Sequence, residues 1–287
     1  MTPSSRTLAR GVCLAAIAAL SLAAPSSAKT LTFTFDKDNF DNPLDIDNTF
    51  FPLVPGTTFI YKAETPDGCE EDHFTVLTGN TPPGTKDITI DGETITVRVI
   101  QDLAYEDAEC DGADPADLHE KTFDWHAQDD FGNVWYFGEE TYNCQGEGNC
   151  VLGGGSWEAG KDIQNTGANA KPGVFMLAEP TTGDSYRQEE YIGFAEDFGK
   201  IMGKNATVRL SREDAYPPGE FDGCLVTKEW NALDPGSVEQ KYYCPEIGLV
   251  LVTEASGGKT VRFELTSITP APARTSQDAF TFRVPKN

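Results

Sequence analysis

Apolar and polar residues alternate along most of this chain with a period of two. Thr57-Thr58-Phe59-Ile60-Tyr61, Thr94 to Ile100 and Lys259 to Thr266 are β-branched and aromatic runs of this kind, as expected of strands on a half-buried sheet. Pro55-Gly56, Pro82-Pro83-Gly84 and Pro235-Gly236 punctuate the runs at short intervals and predict turns. The pattern predicts an all-β fold: antiparallel strands in a curved sheet, a sandwich or an open barrel. One segment, about Ala195 to Gly203, reads as a short helix. Residues 144–172 are rich in glycine and read as a long loop. Residues 269–287 read as a linker, Thr269-Pro270-Ala271-Pro272 onward, and a last strand at Ala279 to Val284.

The strands suggest two related units, about residues 50–143 and 180–256, within one domain covering 29–268. One unit opens on Pro55-Gly56-Thr57-Thr58-Phe59 and the other on Thr182-Gly183-Asp184-Ser185-Tyr186. Each later carries an aromatic strand, a glycine turn and an apolar strand. The first is Asp124 to Trp135, turning at Asp129-Asp130-Phe131-Gly132-Asn133. The second is Lys241 to Leu251, turning at Pro245-Glu246-Ile247-Gly248. Both read as β-hairpins, although any meander of hairpins is self-similar to this degree.

The N-terminus changes the picture of where such a domain works. Arg6 and Arg10 precede an apolar run from Val12 to Ala24, and Ser26-Ser27-Ala28 follows. That is the layout of a secretory signal peptide over residues 1–28. Cys13 lies inside it, near the start of the apolar run, where a lipidated cysteine is not expected. Its removal leaves Cys69, Cys110, Cys144, Cys150, Cys224 and Cys244. An even count in an exported chain predicts three disulfides. Proximity along the predicted strands favours Cys69–Cys110, Cys144–Cys150 and Cys224–Cys244. The expected location is secreted or periplasmic, with no transmembrane segment. The chain has 46 acidic residues against 22 basic ones, a formal charge of −24. The leader holds two of the bases and no acid, so the mature chain is more negative still. Such a surface repels phosphate backbones and makes nucleic acid a poor partner. Glycans, small ligands and extracellular proteins remain compatible.

Several segments carry a resemblance. They are Asn48-Thr49-Phe50-Phe51-Pro52-Leu53-Val54-Pro55-Gly56-Thr57, Gln128 to Glu139, Gly155-Ser156-Trp157-Glu158-Ala159-Gly160, Tyr186-Arg187-Gln188-Glu189-Glu190-Tyr191 and Tyr242 to Val250. Together they resemble a group of secreted bacterial β-sheet proteins of unknown function, over most of the mature chain. The resemblance implies a curved sheet and carries no reaction and no catalytic position.

The residues offer few catalytic motifs. His73, His119 and His126 are the three histidines, and the odd spacing of the last two sets them on opposite faces of an unbroken strand. A three-histidine metal site is therefore not expected. Gly155-Ser156-Trp157-Glu158 and Gly183-Asp184-Ser185-Tyr186 form no Gly-x-Ser-x-Gly elbow, and no histidine follows residue 126. Calcium is the better metal candidate: Asp36, Asp38, Asp41, Asp45 and Asp47 crowd oxygen ligands into one stretch, though ordinary Asx turns use the same residues.

Aromatics stand near carboxylates in several places: Trp125, Trp135, Tyr136, Trp157, Tyr186, Tyr191 and Trp230 beside Asp124, Glu139, Glu158, Glu189, Glu190 and Glu229. Aromatic faces stack on sugar rings, and carboxylates bind hydroxyls. Alternation sets Phe123, Trp125 and Ala127 on one face, which reads as core. Trp157, in the glycine-rich stretch beside Glu158, is the exception. The expected function is non-catalytic binding of a glycan or apolar ligand in the concavity of the sheet, stabilised by calcium if the acidic stretch holds it. Trp157, Glu158, Tyr186, Glu189 and Trp135 are the candidate contacts. One alternative is a glycan-active enzyme using paired carboxylates, with Glu158 and Glu139 as the pair. Another is a structural envelope or matrix protein without a pocket.

Overall fold

A computed structural model describes residues 29–215, 219–256 and 259–269. The expected leader, the linker beyond Thr269 and the last strand lie outside the described residues. Among the described residues sixteen strands form: β1 (Thr58–Thr65), β2 (Gly68–Val76), β3 (Thr85–Ile90), β4 (Glu93–Asp107), β5 (Leu118–Gln128) and β6 (Val134–Cys144) come first. After them come β7 (Cys150–Leu152), β8 (Trp157–Glu158), β9 (Lys171–Met176), β10 (Ser185–Arg187) and β11 (Glu189–Glu190). The last five are β12 (Asp197–Arg209), β13 (Glu220–Asn231), β14 (Val238–Cys244), β15 (Gly248–Ser256) and β16 (Lys259–Thr269).

All the strands join one sheet. Its order runs β10-β12-β13-β14-β15-β16-β1-β2-β4-β5-β6-β9-β11, with β3 beside β4 and with β7 and β8 beside β6. The strands pair antiparallel throughout. The two ends of this order, β10 and β11, are separated in the chain by Gln188 alone. The Gln188 N–H donates to the Asp197 carbonyl at 2.8 Å, and its side-chain amide donates to the Phe175 carbonyl at 3.2 Å. The sheet thus comes round on itself at Gln188 into a nearly closed barrel.

Two readings of the sequence need correction. The segment expected as a helix, Ala195 to Gly203, is mostly the start of β12. Its Gly199 and Gly203 are poor helix formers, and pairing from Asp197↔Asn231 onward along β13 settles its conformation. The glycine-rich stretch 144–172 is not one loop, since β7 and β8 lie within it and both pair with β6. The three expected disulfides are all present. Cys224–Cys244 joins β13 to β14 next to the Leu225↔Tyr243 pair.

The sheet is apolar on parts of its outer side as well as within. Trp125, Ala127, Trp135 and Phe137 alternate with inward-facing Asp124, His126 and Tyr136. A strap formed by the first described residues covers Trp135 and Phe137. Phe33 meets Trp135 edge-on at 5.9 Å, and Phe35 meets Phe137 at 5.7 Å. Aromatic pairs of this kind add about 1 kcal/mol each beyond their burial. Ser185 ties the strap down through Lys29 and Leu31, by backbone bonds of 2.9 and 2.8 Å. Lys86, from β3, places its ammonium 3.4 Å from the centre of the Trp125 ring.

The β5–β6 turn depends on one carboxylate. Asp129 Oδ1 accepts from the N–H groups of Phe131 and Asn133, at 3.0 and 2.8 Å. Its Oδ2 accepts from the Asn133 amide at 2.9 Å and from the Trp135 indole at 2.8 Å. Replacing Asp129 by Ala leaves several of these donors unmet and is expected to cost about 3 kcal/mol. Urea unfolding of the variant measures it; a cost below about 1 kcal/mol would show that water replaces the carboxylate.

Candidate functional site

Inside the barrel lies a cavity of about 480 Å³. Strand alternation builds its wall in layers, because every second residue points inward. Along β2 the inward series runs Glu70, Asp72, Phe74, and along β14 it runs Glu239, Lys241, Tyr243; all six line the cavity. One end is therefore aromatic and the other acidic. At the aromatic end Phe51 lies 4.6 Å from Phe175 and 6.2 Å from Tyr243, centre to centre. His126 joins this group, stacked on Tyr136 at 4.8 Å and edge-on to Phe175 at 5.1 Å.

His126 is only 3% exposed, yet neither ring nitrogen has a hydrogen-bond partner. Burial holds its pKa down to about 3, so the ring is neutral, with one nitrogen able to donate and the other to accept. Asp102 on β4 also lines the cavity, and its Oδ1 is enclosed without a partner.

The middle layer is dense in carboxyl groups. Asp72, Asp102, Asp124, Glu189, Asp197 and Glu229 face the same space, and Lys241 is the single basic residue among those described that line it. Burial, then repulsion from Glu120, raises the Asp102 pKa to about 6. Burial likewise raises Glu139, beside Asp124, to about 7. Asp72, Asp124 and Glu189 are pushed well up, first by burial and then by Asp102, Glu139 and Asp197 respectively. The Tyr136 hydroxyl is 2.7 Å from Asp124 Oδ1 and 3.0 Å from Glu139 Oε2. A hydroxyl has one proton to donate, so a protonated carboxyl supplies the other bond. Lys241 stays charged for a different reason. Burial opposes its charge, but Glu229 at 3.0 Å and Glu239 at 3.1 Å more than reverse that and raise its pKa.

A glycine lets Tyr136 and Glu139 both face inward despite their odd spacing. Gly138 adopts φ 124°, and a Cβ there would lie 2.3 Å from the Trp157 carbonyl oxygen. The irregular turn of β6 is therefore open only to glycine.

The residues singled out from the sequence scatter about this site. Glu189 is on the cavity wall. Trp157 is fully buried, edge-on to Tyr136 at 5.4 Å and opposite Glu139 in the β6–β8 pair. Glu158, one residue on, faces the other side of the sheet. There it pairs with Lys86 at 3.1 Å and Lys161 at 2.6 Å. Glu139 and Glu158 therefore do not share a space. Trp135 packs under the strap, and Tyr186 is buried across Gly199, whose missing Cβ would lie 2.9 Å from the Tyr186 ring. Asp36, Asp38, Asp41, Asp45 and Asp47 are exposed. Asp36 accepts from the Asp38 N–H at 3.1 Å, and Asp47 accepts from the Gln128 amide at 2.6 Å. Among the described residues no three acidic, histidine or cysteine groups converge as a metal site.

His126, Asp72, Asp102, Asp197 and Lys241 do not stand out as a site in the sequence. The available signal is acids at alternate positions of strands whose other face is apolar, as in Asp124 between Phe123 and Trp125. A polar face of that kind is ordinarily assigned to solvent.

No known protein family matches the chain, and no curated protein matches it. Two solved structures are similar in part. One is a candidate lipoprotein from Parabacteroides distasonis, 12% identical, with a TM-score of 0.36 over 77% of this chain and 99% of that one. The other is a candidate exported protein with a YmcC-like fold from Bacteroides fragilis, 14% identical, with a TM-score of 0.38 over 78% of this chain and 100% of that one.

Proposed function

We propose that this is an exported, non-catalytic binding protein that takes a small ligand into the barrel. Export rests on the leader-like residues 1–28 and on three disulfides, which persist in oxidising compartments. The observation that carries binding is His126: a buried imidazole on a cavity wall with both nitrogens unpartnered is costly unless something meets it. The cavity's 480 Å³ falls within the size range of small-molecule sites. Its aromatic end suits the apolar ligand expected from the sequence, and its carboxyl layer suits a polar group on that ligand.

The test is a neutral, environment-sensitive dye, N-phenyl-1-naphthylamine, titrated into the mature chain. Fluorescence should rise and saturate at one site. It should be lost in Val252→Trp, which fills the cavity from β15, while the melting temperature holds. No rise, or an equal rise in the filled variant, would place the reading in error. A second reading, a glycan-cleaving enzyme, draws on Glu139, which burial raises to about 7 and so keeps partly protonated at neutral pH, as a general acid requires. It predicts turnover of a glycan that Glu139→Gln abolishes without unfolding the protein.

A further inference from the structure

We infer that the ligand is an organic cation: an amine whose apolar or aromatic body rests on the aromatic end, against His126, and whose charged nitrogen sits in the carboxyl layer beside Asp102. The inference rests on the cavity-binding reading above and adds the chemistry of the occupant.

Two independent observations meet here. The first is the charge of the wall. Lys241 is the one described basic residue lining the cavity, and it is already committed to Glu229 and Glu239. Asp72, Asp102 and Asp124, on three neighbouring strands, are in no ion pair among the described residues, and Lys241 acts on Asp102 less strongly than burial and Glu120 do. The second is the pair of unmet acceptors, Asp102 Oδ1 and a nitrogen of neutral His126. An ammonium has N–H donors and no acceptor, so it meets Asp102 Oδ1 and brings positive charge into the carboxyl layer, while a body reaching the aromatic end covers His126. A carboxylate or phosphate ligand would add repulsion to a wall that already disfavours its own charges.

The spread of the carboxyl groups points to an organic cation over a metal ion. They lie along several strands, and among the described residues no three close on one point. Phe51, Phe74 and Phe175 next to them give an apolar body a surface to bury, and ammonium groups are attracted to aromatic faces. The acidic rim at Glu70, Glu239 and Glu254 favours entry of a cation.

The experiment compares three ligands with one body: phenethylamine, 2-phenylethanol and 3-phenylpropanoic acid. Calorimetry on the mature chain at pH 7 should show the amine binding at least 10-fold more tightly than the alcohol, with the acid weakest. Asp102→Asn should lower amine affinity about 10-fold and leave the alcohol unchanged. Glu189→Gln should reduce it less, and serves if Asp102→Asn does not fold. Equal affinity for amine and alcohol would overturn the cation assignment while leaving the cavity a binding site. Binding of none of the three, together with no dye uptake, would overturn both. Displacement of the amine by an equal concentration of calcium would also overturn the assignment.

Discussion

The melting temperature should be highest near pH 4 and fall between pH 5 and 8. Asp102, Glu139, Asp124, Asp72, Glu189 and Asp197 have folded pKa values above their unfolded ones, with burial the first cause in each. The folded chain holds protons on these groups that the unfolded chain has released. Their contribution is complete below about pH 4 and is lost as the pH passes their folded values, which for Asp102 and Glu139 are about 6 and about 7. His126 works in the opposite direction. Its folded value of about 3 makes its contribution complete above about 6.5 and lost as the pH falls. One histidine cannot offset six acids, so between pH 5 and 8 the acids win.

Below pH 4 the sign reverses. His126 charges in the unfolded chain. Glu239 and Asp214, whose pKa values Lys241 and Arg212 depress, lose their partners' attraction. A tenfold change in a group's proton affinity is worth about 1.4 kcal/mol, and a net loss of about 3 kcal/mol from pH 5 to 8 follows. That corresponds to roughly 5–10 °C in a chain of this size. Asp102→Asn removes one such group. It should stabilise the protein by about 3 kcal/mol at pH 8, about half as much at pH 5, and not at all below pH 3. Thermal melts across the range check both. A melting temperature that is flat or rises from pH 5 to 8 would mean the cavity carboxyls are freely hydrated.

Gly173→Ala should be more damaging than any surface substitution, at roughly 3 kcal/mol or above. Gly173 is on β9, at the seam where the barrel closes. A Cβ there would stand 2.2 Å from the Gln188 carbonyl oxygen and 3.0 Å from that of Arg187. Both atoms are backbone and cannot rotate away. The seam must part to admit even one methyl group, and with it the Glu189↔Pro172 pairing of β11 with β9. Glu189 would leave the wall at the same time, so the variant should lose ligand binding as well as stability. Urea unfolding combined with dye titration reads both effects. A variant as stable as the parent would show that the seam is loose.

The strands are legible in the sequence because alternation and turn residues act locally. The β5–β6 and β14–β15 hairpins form where the sequence places them, since their glycine turns and flanking alternation are local signals. Cys144–Cys150 and Cys224–Cys244 follow from the same locality, and Cys69–Cys110 is the pair that remains. Ala195 to Gly203 escapes a local reading because its conformation is decided by β13, which lies further along the chain. The site is the least legible part. Asp72, Asp102, Asp124, Asp197 and Lys241 come from five strands spread over nearly 170 residues, and nothing in any one strand shows that its polar face turns inward. The inward turn follows from the strap. Phe33, Phe35 and Phe40 cover the aromatic side, and that leaves the carboxyl side to line the barrel.

The neighbours of β1 set an order on how the chain can fold. β1 lies between β2, which follows it directly, and β16, whose Thr269 pairs with Thr58. The first strand of the ring must therefore wait for the last, across more than two hundred residues. A chain emerging gradually, from a ribosome or through a membrane pore, can form its central hairpins early but cannot close until β16 has appeared. Such long-range closure is slow, on a scale of milliseconds to seconds. Until then, β1 exposes an unpaired edge on which another copy could build. A chaperone that holds the emerging N-terminal half apart would act during that interval, and the finished ring would have no further need of it.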